Sequence, residues 1–493
     1  MKLARALQML AELKAGGSRG VAFRFRERLQ SILAAQRDRS ERRRLLQAAL
    51  CDFPSIRFRR LEARRVLNAS FAFAGADLQL FDFVDGTNIQ VSFDGVQHEF
   101  VLSSGTWFDG GFDTGSNTLS AVLAGELSID AALVTDVSLL GVLDFVDSVS
   151  ITTGGAVTGD GVATDANFQD SLFVSAASIQ LDGLNYQINV NAHLQSTTGD
   201  VVLDAALSSA TGAITIQSAG NVNLNANLAT LDSDPVLNSI LVEALGGDVS
   251  MAAGAQVSTL GGNVLMTANQ DLLISQVNAG TGSIALIAVQ NIVDAQNDTV
   301  SVDADGFAVP DGDPRVINAT ASNLLLQAGG SIGSAGNPFD TSVSNLAAQA
   351  GTNVYLLESD AASIGSVSFS VTEVNFDGTT APLATPVLSG VTGSAGHAKV
   401  ETIAGTLTVN NPVNAENDIL LAAGGAGSDV VINATVTSQN GAISVLAAEQ
   451  VQQNDNLEIA VGSDPVLNSI YVRAIAGAIT MSGTAVSSTQ GGN

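Results

Sequence analysis

Along most of this chain apolar and polar residues alternate one by one, and the alternating runs are entered through a glycine. Clear copies are Gly212-Ala213-Ile214-Thr215-Ile216, Gly220-Asn221-Val222-Asn223-Leu224 and Gly247-Asp248-Val249-Ser250-Met251. Others are Gly262-Asn263-Val264-Leu265-Met266 and Gly282-Ser283-Ile284-Ala285-Leu286, with later ones at 405–409, 441–445 and 477–481. Alternation with a period of two predicts a strand with one face buried. The glycine supplies the sharp turn into it, because glycine alone takes positive φ without steric cost. Short strands at separations near one solenoid coil predict an all-β fold, a right-handed parallel β-helix. Val222, Leu224, Val249, Met251, Val264, Met266, Ile284 and Leu286 are then expected to stack in one interior column. Asn221, Asn223, Asn225 and Asn227 fall on the opposite face, turned outward or stacked as an amide ladder.

A longer repeat overlies the short one. Ser233-Asp234-Pro235-Val236-Leu237-Asn238-Ser239-Ile240 recurs unchanged as residues 463–470, and Gly261-Gly262-Asn263 returns as Gly491-Gly492-Asn493. Both Asp-Pro pairs are expected in equivalent turns outside the core, since proline cannot donate to a ladder. The second copy stops inside a turn, so the sequence reads as the front part of a longer, multi-coil array.

The rest of the chain departs from this rhythm in recognisable ways. Residues 1–57 read as a basic helical leader, with Leu3, Leu7, Leu10 and Leu13 on one face of a first helix. Residues 71–195 carry clustered phenylalanines, Trp107 and turn signals such as Asp94-Gly95, which predicts a β-rich cap followed by the first coils. Coils are regular over 196–493. Two stretches break the pattern: 294–315, rich in aspartate, is expected as a loop thrown out from the stack, and 375–396 is irregular.

Between leader and cap lies Leu61-Glu62-Ala63-Arg64-Arg65-Val66-Leu67, within a motif region at 58–70. This string resembles the LEPR-XLL motif near the N-terminus of very large, repetitive bacterial surface proteins. Ala63 stands where that motif has proline. The Ala/Ser/Gly/Val rhythm of the body is similar in texture to filamentous-haemagglutinin-type adhesins. The resemblance implies a cell-surface or secreted protein, with the motif in sorting or processing, and it brings no catalytic residues.

Charge divides the chain at the same place. Of the 20 Lys and Arg, 17 lie at or before Arg65 against six acids, giving +11 there. Only Arg315, Lys399 and Arg473 follow, against 42 acids, giving −39. Such a body repels nucleic acid. Cys51 is alone, so no intrachain disulfide forms. No apolar run reaches the ~18 residues of a membrane-spanning helix.

Candidate chemistry is sparse. Asp303, Asp305, Asp311 and Asp313 offer hard oxygen ligands in one stretch, a calcium candidate that lacks the EF-hand spacing. No other cofactor is indicated; His98, His193 and His397 are far apart in sequence. A polysaccharide hydrolase needs two facing carboxylates, and a lyase needs a base beside a cation. The three cations of the body are not clustered in sequence, and Trp107, Tyr186, Tyr355 and Tyr471 are scattered. The expectation is a non-catalytic surface repeat protein with a structural or adhesive role. Its partners would be other cell-surface components, polysaccharide or further copies of itself. The alternatives are a β-helix carbohydrate-active enzyme and a calcium-stabilised matrix protein.

Overall fold

The computed structural model describes residues 69–493, apart from 85, 110–111, 132–134, 162–164, 297–299 and 311–314. These residues belong to one unit, Leu67–Asn493. The leader and all but two residues of the motif region lie outside the described residues. Among the described residues every regular element is a β-strand.

Three short strands make one coil, and the coils stack as in a parallel β-helix. Ala192–Ser196, Val201–Leu203 and Ala206–Ser209 form one coil; Ile214–Ser218, Val222–Leu224 and Leu228–Thr230 form the next. Each strand pairs in parallel with its counterpart, with Ala192 opposite Ile214, Val201 opposite Val222 and Leu207 opposite Leu228. Alternation sends one set of side chains inward. Leu194, Ile216, Val242, Met266, Leu286 and Leu326 follow one another in register and are fully buried. A single apolar cluster runs from Ala69 to Ile459.

The eight residues expected inside are all buried. They do not form one column, however. Val222 stacks on Val249, whereas Val264 stacks on Ile284 on a different side of the coil. The glycine-led pattern recurs more than once per coil, so similar strings land on different sides.

Turn residues tie the coils together at one corner. Asp200 Oδ1 accepts the backbone N–H of Asn221 at 2.7 Å, and Asn221 Oδ1 accepts that of Asp248 at 2.9 Å. Asp248 accepts from Asp271, Asp271 from Asn291, and Asn291 from Ser331, at 2.8, 2.8 and 2.9 Å. The series resumes from Asn353 to His397 at 3.0 Å and from Asp418 to Ala442 at 2.8 Å. An amide stack also exists, from Asn454 to Asn433 to Asn410 at 2.8 and 3.0 Å, far from the asparagine run at 221–227. In that run, Asn221 belongs to the corner series and Asn225 donates to Asp204.

The N-terminal end is antiparallel. Ala69–Ala74 pairs with Asp77–Phe81, and Ile89–Phe93 with His98–Leu102. Leu78 and Ile89 then lead into the parallel columns, opposite Leu127 and Val137. Trp107 is buried here with Nε1 donating to the Phe100 carbonyl at 3.0 Å.

Midway, the longest side of the coil changes place. Ala319–Ala328 and Phe339–Ala350 each bend through a corner, pairing with third-side and first-side strands alike. Beyond them the five-residue strands are Val354–Glu358, Ala398–Thr402, Ile419–Ala423, Ile443–Ala447 and Ile470–Ala474. Their column descends from Ile292 through Ile332 to Val354, not from the earlier five-residue strands. The duplicated segment records the shift. Asp234 and Asp464 each accept two backbone N–H bonds from residues two and three ahead, in exposed turns of the same pattern. Gly261 and Gly491 share positive φ of 139° and 131°. A side chain at Gly262 or Gly492 would strike the carbonyl of Asn238 or Asn468. The duplication is therefore structural, yet the strands that follow, Ile240–Ala244 and Ile470–Ala474, stand on different sides of the stack.

Candidate functional site

Two antiparallel arms leave the stack and fold back onto it. The first contains Val300–Val302 and Ala308–Pro310. The second contains Ser366–Val367, Ser370–Val374, Thr380–Ala384 and Leu388–Ser389. It departs near Gly365, earlier than the irregular stretch expected from 375, because 366–374 is itself a regular strand edge.

The second arm covers an outward column that is apolar for most of its length. Phe173, His193, Thr215, Leu241, Leu265, Ala285, Leu325 and Ala347 follow in register on the outer face of the first side. Val367, Val371 and Leu388 pack on Leu241, Leu265, Ala285, Leu325 and Ala347, and Val374 packs on Phe173 and Ala213. Polar bonds fix the register: Thr215 Oγ1 accepts the Val374 N–H at 2.8 Å and Ser239 Oγ accepts that of Thr372 at 2.6 Å. His193 Nδ1 lies 2.6 Å from the Val374 carbonyl, which places a proton on Nδ1. Burial holds the His193 pKa below its ordinary 6.5.

The first arm reaches toward later coils. Phe307 packs on Ala422 and Leu446, and the Ala308 N–H donates to Glu401 at 3.1 Å. Arg473 bonds the Asp305 carboxylate at 2.6 Å. Arg315 pairs with Asp340 and donates to the Leu357 carbonyl at 2.6 Å, and Lys399 pairs with Glu401 at 2.6 Å. Asp340, Leu357, Glu401, Ala422, Leu446 and Arg473 form one column in register. The three cations, dispersed over 158 positions of sequence from Arg315 to Arg473, thus converge on one side.

The calcium candidate is half described. Asp303 Oδ1 accepts the N–H groups of Asp305, Gly306 and Phe307 at 2.9, 2.8 and 2.9 Å, closing the tip of the first arm and lowering its pKa. Asp305 is held by Arg473. Asp311 and Asp313 lie outside the described residues. Among the described residues no three His, Cys, Asp or Glu side chains gather as for a metal.

The histidines stay apart. His98 is sandwiched between Phe93 and Phe145 with ring centroids 4.6 and 4.7 Å away, and burial pushes its pKa down to about 4. His397 Nδ1 lies 3.2 Å from both the Asp418 N–H and its Oδ2. The first contact uses the ring as acceptor, the second as donor, so the two exclude each other. Sequence reasoning missed Glu358, which is fully buried; burial pushes its pKa up to about 8. Thr341 Oγ1 donates to it at 2.7 Å and the Val343 N–H at 3.1 Å.

A shallow groove lies beside the first arm. On the outer face, Tyr355, Lys399, Leu420, Ser444 and Tyr471 follow in register. Tyr355, His397, Ala398, Lys399, Asp418 and Leu420 line a cavity of about 170 Å³. The four large polar aromatics do not share a surface: Trp107 and Tyr186 are buried. Tyr355 and Tyr471, 116 positions apart, nonetheless stand on one column. Compared with known proteins, the chain matches no family model, no curated protein and no solved structure.

Proposed function

We propose that this chain is a non-catalytic, surface-displayed repeat protein whose work is structural or adhesive. The observation that carries this reading is continuity. One apolar cluster passes both excursions without a break, the strands beyond them pair in parallel again, and both excursions return to the stack as ordered cover. Such a build holds a long, acid-faced surface in fixed geometry. We infer a right-handed winding, the hand that twisted strands favour in parallel crossovers. The antiparallel strands at 69–121 would serve as the cap of the first coil. The LEPR-XLL-like string supports a bacterial cell-surface or secreted location, with cell-surface components, polysaccharide or further copies as partners. Microspheres coated with the chain should be retained on polysaccharide-coated glass under flow, above albumin-coated spheres. Equal retention of the two would sink the adhesive reading.

One observation favours the enzyme alternative: Tyr355, His397, Lys399 and Asp418 share a cavity, and a lyase needs a base beside a cation. Lys399 is already neutralised by Glu401, which argues for binding over catalysis. Unsaturated or reducing ends released from a polysaccharide, and lost in Lys399→Ala, would replace the adhesive reading with the enzymatic one. The calcium alternative gains no support from Asp303 and Asp305, whose carboxylates are taken up by backbone N–H groups and Arg473.

A further inference from the structure

The groove beside the first arm combines a floor, two sides and a period. The floor is the outward column Tyr355, Lys399, Leu420, Ser444 and Tyr471. One side is the corner that carries Asn353, His397 and Asp418; the other is the column of Leu357, Glu401, Ala422 and Leu446, overlain by Phe307. Four coil steps separate the two tyrosines, about 19 Å at one strand spacing per step. Tyr471 is 51% exposed and Tyr355 is half-buried, so a ring face at each end of the floor is open to contact.

Resting on the adhesive reading above, we propose that this groove binds an extended polysaccharide laid along the stack, and that the polysaccharide is neutral. Aromatic rings at the ends of a polar floor suit sugars, whose C–H faces stack on rings while their hydroxyls seek donors and acceptors. Here Lys399, His397, Asp418 and Ser444 supply both kinds. An extended glycan advances by roughly one coil spacing per sugar ring, so successive rings meet successive coils. The charge balance selects against acidic chains. The body carries −39, and each of its three cations is already paired with a carboxylate. A polyanion would have to break those pairs against the surrounding field.

The test is affinity electrophoresis of the full 493-residue chain through gels containing hydroxyethyl cellulose, a neutral β-glucan, or polygalacturonate, an acidic one. Retardation by the neutral glucan is expected, weakened about tenfold in each of Tyr355→Ala and Tyr471→Ala, the loss of one stacked ring. Tyr355→Phe, which keeps the ring, should bind within about twofold of the native chain, and Gln349→Ala on another side should bind unchanged. Retardation that survives in the double Tyr→Ala chain overturns the groove, as does retardation by polygalacturonate alone or by neither polymer. The two readings fail separately. Spheres that still adhere when coated with the double variant leave the adhesive reading standing without this groove; spheres of native chain that do not adhere sink that reading, whatever the gels show.

Discussion

The two arms solve the same problem with different chemistry. Each covers an outward column that would otherwise face water. The second arm does it with valine, leucine and phenylalanine on a column largely of Leu and Ala, with hydrogen bonds at Ser370, Thr372 and Val374 fixing its register. The first arm has one apolar anchor, Phe307, and otherwise relies on Glu401, Asp305 and Arg473. Apolar cover resists salt and depends on fit. Ionic cover on a partly exposed pair is weak and is screened by salt. The second arm should behave as part of the core and the first as a removable latch.

The largest test of that contrast is Leu265→Asp, which places a carboxylate beneath the second arm. We expect a loss of about 4 kcal/mol in unfolding stability by denaturant titration, with early proteolysis inside 366–389. An unchanged midpoint would mean that the arm is not cover at all. Next comes Glu358, beneath the first arm's column. Its folded pKa of about 8 exceeds the ordinary 4.5, so its favourable contribution is complete below pH 4.5 and declines as pH rises toward 8. Glu358→Gln should therefore flatten the fall in melting temperature between pH 5 and pH 8, and the native chain should lose stability there by on the order of 2 kcal/mol.

His193 probes the second arm from the acid side. Its folded pKa lies below 6.5, so the stability it permits is full above 6.5 and diminishes as pH drops below that value. The protection factor of the Val374 amide should fall on acidification in the native chain and not in His193→Phe. Tip residues of the first arm, closed by Asp303 whose pKa is held below its ordinary 3.8 by backbone N–H bonds, should show no such change over the same range. The smallest effect is expected from Arg473→Ala: less than about 1 kcal/mol in global stability, but faster subtilisin cleavage at 300–310. Equal protease resistance of both chains would show that Phe307 alone holds the first arm.

The same contrast explains what could be read in advance. Strict alternation at Val222-Asn223-Leu224 announced a half-buried strand, and it is one. Ile240-Leu241-Val242 and Leu324-Leu325-Leu326 break the alternation with three apolar residues running, the mark of a strand buried on both faces. That mark implied a second layer over the first side, and the second arm is the layer. Ionic cover leaves no comparable trace. Lys399 and Glu401 stand two apart on one strand, but Arg315 and Arg473 are ordinary polar positions until the fold brings Asp340 and the tip of the first arm beside them. Tyr355 and Tyr471 share a column because of coil register. Which residues share a column depends on coil lengths, and these vary: Ile214 to Ile240 is 26 residues, and Val264 to Ile284 is 20. An error of one residue per coil, carried through several coils, scrambles every such pairing.

The corner series of aspartate and asparagine has a direction. From Asp200 to Asn291 the accepting side chain always belongs to the earlier coil and the donating N–H to the later one. A finished coil thus displays a waiting acceptor at a fixed place, while the strand about to join it brings nothing there but its own backbone. The stack is in this respect a template read one way, each layer prescribing where the next begins. A chain that emerges amino end first meets its acceptors already set and can lay down coils in the order in which they appear. One that emerged in the opposite order would lay down its amides before the groups that receive them.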